Sequence, residues 1–362
     1  DTKTQGVLFR SEDRGATWTM VNNSTQLSFR PFYYCDLRVD PNNPNRVFVL
    51  AGGLNVSDDG GRTFRGASNG VHGDHQALWI DPKNSNRILS GSDGGFQISW
   101  DGSQSWEILN TVSFAQFYRI ETDNQQPYTI CGGLQDNGVW CGPSATTSTD
   151  GVRKRDWVTV SGGDGFSGVQ NITEPWIIYS NSQGGPIYAT NLRNNTSRAI
   201  APYPKDIGST GNPIAPYKYR FNWNAPILRS PNDPKTLYYG GNVLFRSTNH
   251  GMSWEVISPD LTTNDKSKQQ SSGGEIVTDN TAAEFHCTIM AISESPVARG
   301  VIWVGTDDGN IQLTRDGGKT WTNVVANLKG LPPNSWLPAI DASPFDAGTA
   351  YVAVDRHRDD DF

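Results

Sequence analysis

Around residues 311–321 the chain alternates apolar and polar side chains through Ile311, Gln312, Leu313 and Thr314, then breaks into Arg-Asp-Gly-Gly-Lys-Thr-Trp. Alternation at a period of two marks a half-buried strand, and Asp-Gly-Gly marks a tight turn. The same eight-residue ending recurs at 11–18, 57–64, 99–106 and 247–254. It places a hydroxyl residue, an acid or amide, a glycine, a second hydroxyl and an aromatic at fixed offsets. Phe64 replaces the final Trp, Ser103 stands where the glycine belongs, and Asn249 replaces the Asp. Five copies of one pattern in one chain make this a repeat protein.

The residue types say what each octet does. Asp13, Asp59, Asp101, Asn249 and Asp316 can accept hydrogen bonds from backbone N–H groups just ahead, which pins the turn. The glycine supplies a backbone angle that other residues reach only at a cost. The hydroxyls can bond across the hairpin, and the aromatic covers the turn with apolar area. These five acids and amides are therefore expected to be structural.

A second signature follows downstream of each octet: an apolar strand, an Asp/Ser-Pro type turn, and an apolar strand ending in glycines. It occurs seven times, with turns near Asp40, Asp81, Asp123, Glu174, Ser230, Ser295 and Ser343, at spacings of 41 to 65 residues. Two degenerate hairpins, 138–158 and 186–191, bring the octet-type tails to seven as well. Two hairpins per period of this length is the signature of a propeller blade. The chain begins with a tail that has no head and ends with a head that has no tail. The expected fold is all-β: a seven-bladed β-propeller of four-stranded antiparallel blades, with the N- and C-terminal strands sharing one blade. Such closure removes open sheet edges. Residues 1–362 are read as one domain, a segment of a longer protein.

In an up-and-down blade the Asp/Ser-Pro turns and the octets fall on one face. The opposite mouth collects the residues just before each first strand and the irregular crossings 193–219 and 258–281. The mouth residues are Asp74 and His75, Gln116 and Tyr118, Asp164, Asn222 with Trp223 and Asn224, Glu284 with His286, and Trp336. Aromatics beside acids and amides suit a sugar or peptide ligand, although any wet propeller mouth is polar. Two carboxylates across a cleft can cleave a glycosidic bond. Asp164, flanked by Gly163 and Gly165, is the first candidate, with Asp74 or Glu284 as its partner.

Charge and composition narrow the classes. The net charge is −7 and charged residues make up 19% of the chain, with no basic face of the kind nucleic-acid binders show. No apolar run approaches the ~20 residues of a membrane helix. No phosphate loop, zinc spacing or calcium loop stands out, so neither cofactor nor metal is expected; Asp307-Asp-Gly-Asn reads as a strand-end turn. Of four cysteines, Cys131 and Cys141 straddle a hairpin turn, where they are either a cross-strand disulfide or two buried thiols. Cys35 and Cys287 are expected to be unpaired core residues. With neither a signal peptide nor an initiator Met, the chain reads as a processed, exported form or as part of something longer.

The octets resemble the Asp-box or BNR repeats shared by sialidases, sortilin-like receptors, xyloglucanase-like glycosidases and the photosystem II assembly-factor propeller. The phrases Gly133-Leu-Gln-Asp-Asn-Gly138, Gly162-Gly-Asp-Gly-Phe166, Phe221-Asn-Trp-Asn-Ala-Pro226, Ile257-Ser-Pro-Asp-Leu261 and Gly305-Thr-Asp-Asp-Gly309 are similar to large bacterial exported proteins of glycosyl-hydrolase or sortilin-like type. In xyloglucanase-like enzymes two aspartates act from two facing propellers, and the surroundings of Asp164 loosely resemble one of them. The second propeller is missing here. Sialidase blade number and arginine set do not match, nor do the ten blades and cysteine-rich module of sortilin-like receptors. The resemblance therefore implies the fold, a protein or glycan partner at the mouth, and an association with a second propeller or larger complex. It leaves two functions: an exported, non-catalytic binding or assembly module, and half of a polysaccharide-cleaving enzyme that uses Asp164.

Overall fold

A computed structural model describes residues 7–27, 30–31, 33–109, 115–203, 213–273 and 280–361. Parts of both expected crossings, 204–212 and 274–279, lie outside the described residues. The chain divides into two compact units, one of residues 1–114 with 273–279 and one of residues 115–272 with 280–362.

The described elements are strands and short 3-10 turns. In the first unit, β1 (Leu8–Arg10) and β2 (Thr19–Asn22) form a two-stranded hairpin. β3 (Asp36–Asp40), β4 (Asn43–Ala51), β5 (Gly53–Ser57) and β6 (Arg65–Gly66) form a four-stranded sheet. So do β7 (His75–Ile80), β8 (Ile88–Ser92), β9 (Gly95–Ser99) and β10 (Glu107–Ile108). In the second unit the sheets are β11 (Phe117–Thr122), β12 (Thr129–Leu134), β13 (Gly138–Pro143) and β14 (Val158–Ser161), then β15 (Gly165–Gln170), β16 (Ile177–Ser182), β17 (Ile187–Asn191) and β18 (Thr196–Ala199). They continue with β19 (Ile227–Arg229), β20 (Leu237–Gly240), β21 (Leu244–Ser247) and β22 (Glu255–Val256). β23 (Ile289–Glu294), β24 (Ile302–Thr306), β25 (Ile311–Thr314) and β26 (Thr322–Asn323) follow. A closing hairpin pairs β27 (Trp336–Ala342) with β28 (Ala350–Asp355).

Among the described residues there are thus six four-stranded antiparallel sheets and two two-stranded ones, with the two-stranded sheets nearest the chain ends. Every Asp/Ser-Pro type turn joins a first strand to a second, and every intact octet joins a third strand to a fourth or, near the amino end, β1 to β2. The cores lie between successive sheets. Phe48, Leu50 and Val56 pack on Leu78, Ile80 and Ile88 in the first unit. In the second unit Tyr179 and Ile187 pack on Leu237 and Tyr239, and Leu244 packs on Ile292 and Ile302. Each fully buried side chain of this kind is worth ~1.5–3 kcal/mol, so the sheets are held mainly by their faces.

The octets repeat one hydrogen-bond pattern. Asp13 Oδ1 accepts from Thr17 N (2.8 Å) and Oδ2 from Thr17 Oγ1 (2.6 Å), while Ser11 Oγ donates to Asp13 Oδ1 (2.8 Å) and accepts from Gly15 N (2.8 Å). Asp59, Asp101 and Asp316 do the same with Thr63, Ser105 and Thr320. Asn249 accepts from Ser253 N and donates from Nδ2 to Ser253 Oγ (both 2.9 Å). Ser103, in the copy without the glycine, takes the left-handed angle itself (φ 75°).

The aromatics do more than cover their own turns. Trp106 Nε1 donates to Ala67 O (2.7 Å), Trp254 to Ile200 O (2.7 Å) and Trp321 to Ile257 O (2.9 Å). Each acceptor follows the last strand of the preceding sheet, so the indole ties one sheet to the next. Trp18 bonds only to its own Gly15 O and is 62% exposed.

Cys131 and Cys141 face each other directly across β12 and β13, and their sulfurs are bonded. Cys287 is a free, buried thiol, whereas Cys35 is free and exposed. The expectation of a core position fails for Cys35 because the strand it leads into, β3, leaves Leu37 and Val39 more than 40% exposed.

Candidate functional site

In the second unit the residues before the first strands gather into two neighbouring groups. The first is built on β11, β15 and the loop before β19. Tyr118 and Phe166 pack at 4.6 Å between ring centres with their planes tilted by 44°, and Trp223 meets Phe166 edge-on at 6.5 Å. Phe166 is fully buried, whereas Tyr118 and Trp223 are half-buried and form the exposed rim. Asp164 is 8% exposed; its Oδ1 accepts from the Tyr118 hydroxyl (3.3 Å) and from Asp136 N (3.1 Å). Its own N–H donates to Gln183 Oε1 (3.2 Å). Burial, then the Asp164 charge, pushes the Tyr118 hydroxyl up to about 12, so it remains a donor at neutral pH.

Glycines make this approach possible. A Cβ on Gly133 of β12 would stand 2.3 Å from Gly165 O, and one on Gly165 would stand 2.3 Å from Gly138 O. The β11–β14 and β15–β18 sheets therefore touch backbone to backbone directly beside Asp164.

The second group centres on Asp307, which has no exposed surface. Its Oδ1 accepts from Thr288 N (2.8 Å), and its Oδ2 from Thr288 Oγ1 (2.6 Å) and Asn222 Nδ2 (3.3 Å). His286 Nδ1 lies 3.7 Å from the same oxygen, and its Nε2 is buried with no partner among the described residues. Burial raises the Asp307 carboxyl to about 7 and lowers the His286 imidazole from its ordinary value. Asp308 accepts from Thr263 N and Oγ1 (both 2.7 Å), and the buried Arg220 pairs with Asp260 (2.7 Å) while donating to Cys287 O (3.2 Å). The strand-end turn at 307–310 is thus also a buried polar hub. Sequence spacing gave it no prominence, because its partners stand 19 to 85 residues away.

The remaining candidates take other places. Glu284 accepts from Thr281 N (2.7 Å) and Thr281 Oγ1 (2.8 Å), so it braces its own turn. Asn224 has a buried Oδ1 without a partner among the described residues. Gln116 is exposed and bonds Gln135 N through its backbone carbonyl (3.0 Å). Trp336 opens β27 with the Arg358 guanidinium 4.1 Å from its ring centre. In the first unit His75 is 1% exposed with Nδ1 2.7 Å from Ser90 Oγ, a buried imidazole that burial holds below its usual range. Asp74 beside it adopts a left-handed angle (φ 56°) and, with burial, raises the Tyr34 hydroxyl.

Deeper in the second unit, Arg119 of β11 donates to Met290 O of β23 (3.0 Å), and Arg229 of β19 to Gln170 O of β15 (2.6 Å). Burial raises Glu121, with both arginines opposing the shift. The first strands of these sheets therefore face one another across a charged interior that single-residue spacing did not reveal. Among the described residues no group of three His, Cys, Asp or Glu stands close enough to hold a metal, and no helix is long and apolar enough to cross a membrane.

No protein-family model and no curated protein matches the chain. Among solved structures it is similar to an ancestral GH74 enzyme (16% identity over 86% of this chain and 33% of that one, TM-score 0.31). It is similar also to the GH74 enzyme of Niastella koreensis (15%, 97% and 67%, TM-score 0.25) and to YCF48 bound to D1 peptide (12%, 88% and 89%, TM-score 0.36). The chain thus spans about a third of the first of these proteins. At such identities and scores, none of the three carries an argument about what this chain does.

Proposed function

We propose that this chain is a non-catalytic β-propeller, exported, that binds a protein or glycan partner at its mouth. In this reading the β1–β2 and β27–β28 hairpins complete a seventh blade. The contact surface is the half-buried rim of Tyr118 and Trp223 over Asp164. The observation that carries the reading is the employment of the two acids in the second unit. Asp164 is held as an acceptor by Tyr118 and a backbone N–H, and Glu284 is spent on its own turn. By these bonds Asp164 fixes the Tyr118 hydroxyl and the backbone at Asp136 beside the aromatic rim, an arrangement that supports recognition.

Incubation with xyloglucan, β-glucans and sialosides tests the proposal: no reducing ends should appear. Glycan and peptide arrays should show binding that Trp223→Ala abolishes. Release of reducing ends, lost in Asp164→Asn, would replace this proposal by the hydrolase reading in which Asp164 is one of two catalytic carboxylates.

A further inference from the structure

A cleft of about 400 Å³ opens on the turn side of the second unit, between the β15–β18 sheet and the octet 247–254. Ligand pockets commonly start at about this size. It lies at the far end of β15 from Asp164, roughly 20 Å away at ~3.3 Å per residue over the six residues of that strand.

The octet that borders the cleft departs from most of the others at two positions, and both line it; at the first of them the octet 11–18 also lacks the glycine and carries Arg14. His250 stands where three other octets carry Gly60, Gly102 and Gly317, at the same left-handed angle (φ 59°). Asn249 replaces the aspartate and makes the same backbone bond without its charge. Neither change is needed by the turn, which the remaining copies build without them.

The imidazole is held in a defined tautomer. Asn171, 1% exposed, accepts at Oδ1 from Thr173 N (3.0 Å) and Glu174 N (3.3 Å). Backbone N–H groups only donate, so the amide orientation is fixed and Nδ2 faces Tyr179 Oη (3.2 Å) and His250 Nδ1 (3.4 Å). The Tyr179 hydroxyl also lies 3.0 Å from that Nδ1. A ring nitrogen facing an amide NH₂ acts as acceptor, so the hydrogen of neutral His250 is on Nε2. Nε2 has no partner among the described residues.

Two opposite charges, Glu174 and Arg198, line the same cleft, and both act on the Tyr179 hydroxyl. Yet neither is ion-paired, with the other or with any described residue. Ile177, Ala189 and Met252 supply an apolar wall. A ligand with one charge is attracted by one of the two groups and repelled by the other; a ligand with both can orient each charge toward its opposite, so that attraction outweighs repulsion.

We propose that this cleft binds a small zwitterion of the α-amino acid class, its carboxylate on Arg198 and His250 Nε2–H, its ammonium on Glu174, and its side chain against Ile177, Ala189 and Met252. Calorimetric titration tests this with L-leucine, with isopentylamine (the ammonium alone) and with 4-methylpentanoate (the carboxylate alone). Leucine should bind one to one and saturably, and each singly charged analogue at least tenfold more weakly. Arg198→Ala and Glu174→Ala should each weaken leucine at least tenfold. His250→Gly, which restores the commoner octet residue, should also weaken it, with an unchanged near-UV circular dichroism spectrum. Trp223→Ala, at the mouth, should leave it unaltered. Absence of saturable leucine binding, equal binding of the analogues, wild-type affinity in the three cleft variants, or loss in Trp223→Ala would each overturn the proposal.

Discussion

Replacing Gly133 by Ala tests whether the Tyr118–Phe166–Asp164 group depends on backbone contact between sheets. The added Cβ would sit 2.3 Å from Gly165 O and from the carbonyl carbon and oxygen of Phe166, where ordinary contact begins at 3.4 Å. The sheets must therefore part locally by about 1.1 Å, the difference between those distances. The obstacles are backbone atoms inside β15, not the ends of flexible side chains, so rotamer changes give no relief. Overpacking of this kind costs ~1–3 kcal/mol, and the rigidity of the obstacle favours the upper end. The second unit has 158 residues from 115–272 and 83 from 280–362, 241 in all. At that size each kcal/mol lowers Tm by ~2–4 °C, so the expected drop is ~2–12 °C. The same movement should pull Phe166 off Tyr118 and Asp164 Oδ1 off Asp136 N, which near-UV circular dichroism reports through the aromatic signal. Gly162→Ala is the control, because its Cβ meets nothing within 4 Å. If scanning calorimetry and the aromatic spectrum place the two variants within a degree of each other, with no spectral change, the close approach does not hold the Tyr118–Phe166–Asp164 group.

Three further outcomes are expected. Trp321→Phe removes the indole bond to Ile257 O and should cost ~0.5–1.5 kcal/mol in urea unfolding, whereas Trp18→Phe, exposed and locally bonded, should change little; equal costs would refute the inter-sheet tie. Hydrogen bonds from Thr17, Ser105 and Thr320 lower Asp13, Asp101 and Asp316 to about 2. Their folded pKa lies below the unfolded one, so the stability they add is present above about 4 and is lost as pH falls toward 2. Asp307, raised by burial to about 7, has the opposite sign: it should erode stability as pH rises from about 4 to 7, a slope that Asp307→Asn removes. Melting temperatures flat from pH 2 to 8 would contradict both parts. The Cys131–Cys141 bond closes a loop of ten-residue separation, so Cys131→Ala with Cys141→Ala should lose about 3 kcal/mol, with the linked peptide pair absent from an unreduced digest; two free thiols in the wild type would refute the bond.

The sequence was most informative wherever a contact closes within a few residues. Each octet is bonded between positions two and four apart, so its residue types alone indicate which atoms meet. The heads and tails fell on strand turns for the same reason: alternation and turn residues are local signals. The residues before the first strands were only partly legible. Asp164, Tyr118 and Trp223 do gather, but Glu284 and His75 turn their polar atoms to neighbours in their own sheet or turn. Spacing before a strand shows that a side chain opens a first strand, not which way it points.

What the amino-acid order decided by itself is the repeated hairpin, the turn chemistry and the all-β class, since those depend on short-range geometry. Tertiary structure alone decided which carbonyl each tryptophan reaches, 39, 54 and 64 residues away. It also placed Asp307 as the acceptor for Asn222 and Thr288, and set Glu174, Arg198 and His250 around one cleft. Those partners come together only when whole sheets pack face against face. The energy of that packing is spread over many apolar side chains and leaves no mark at the positions it brings together.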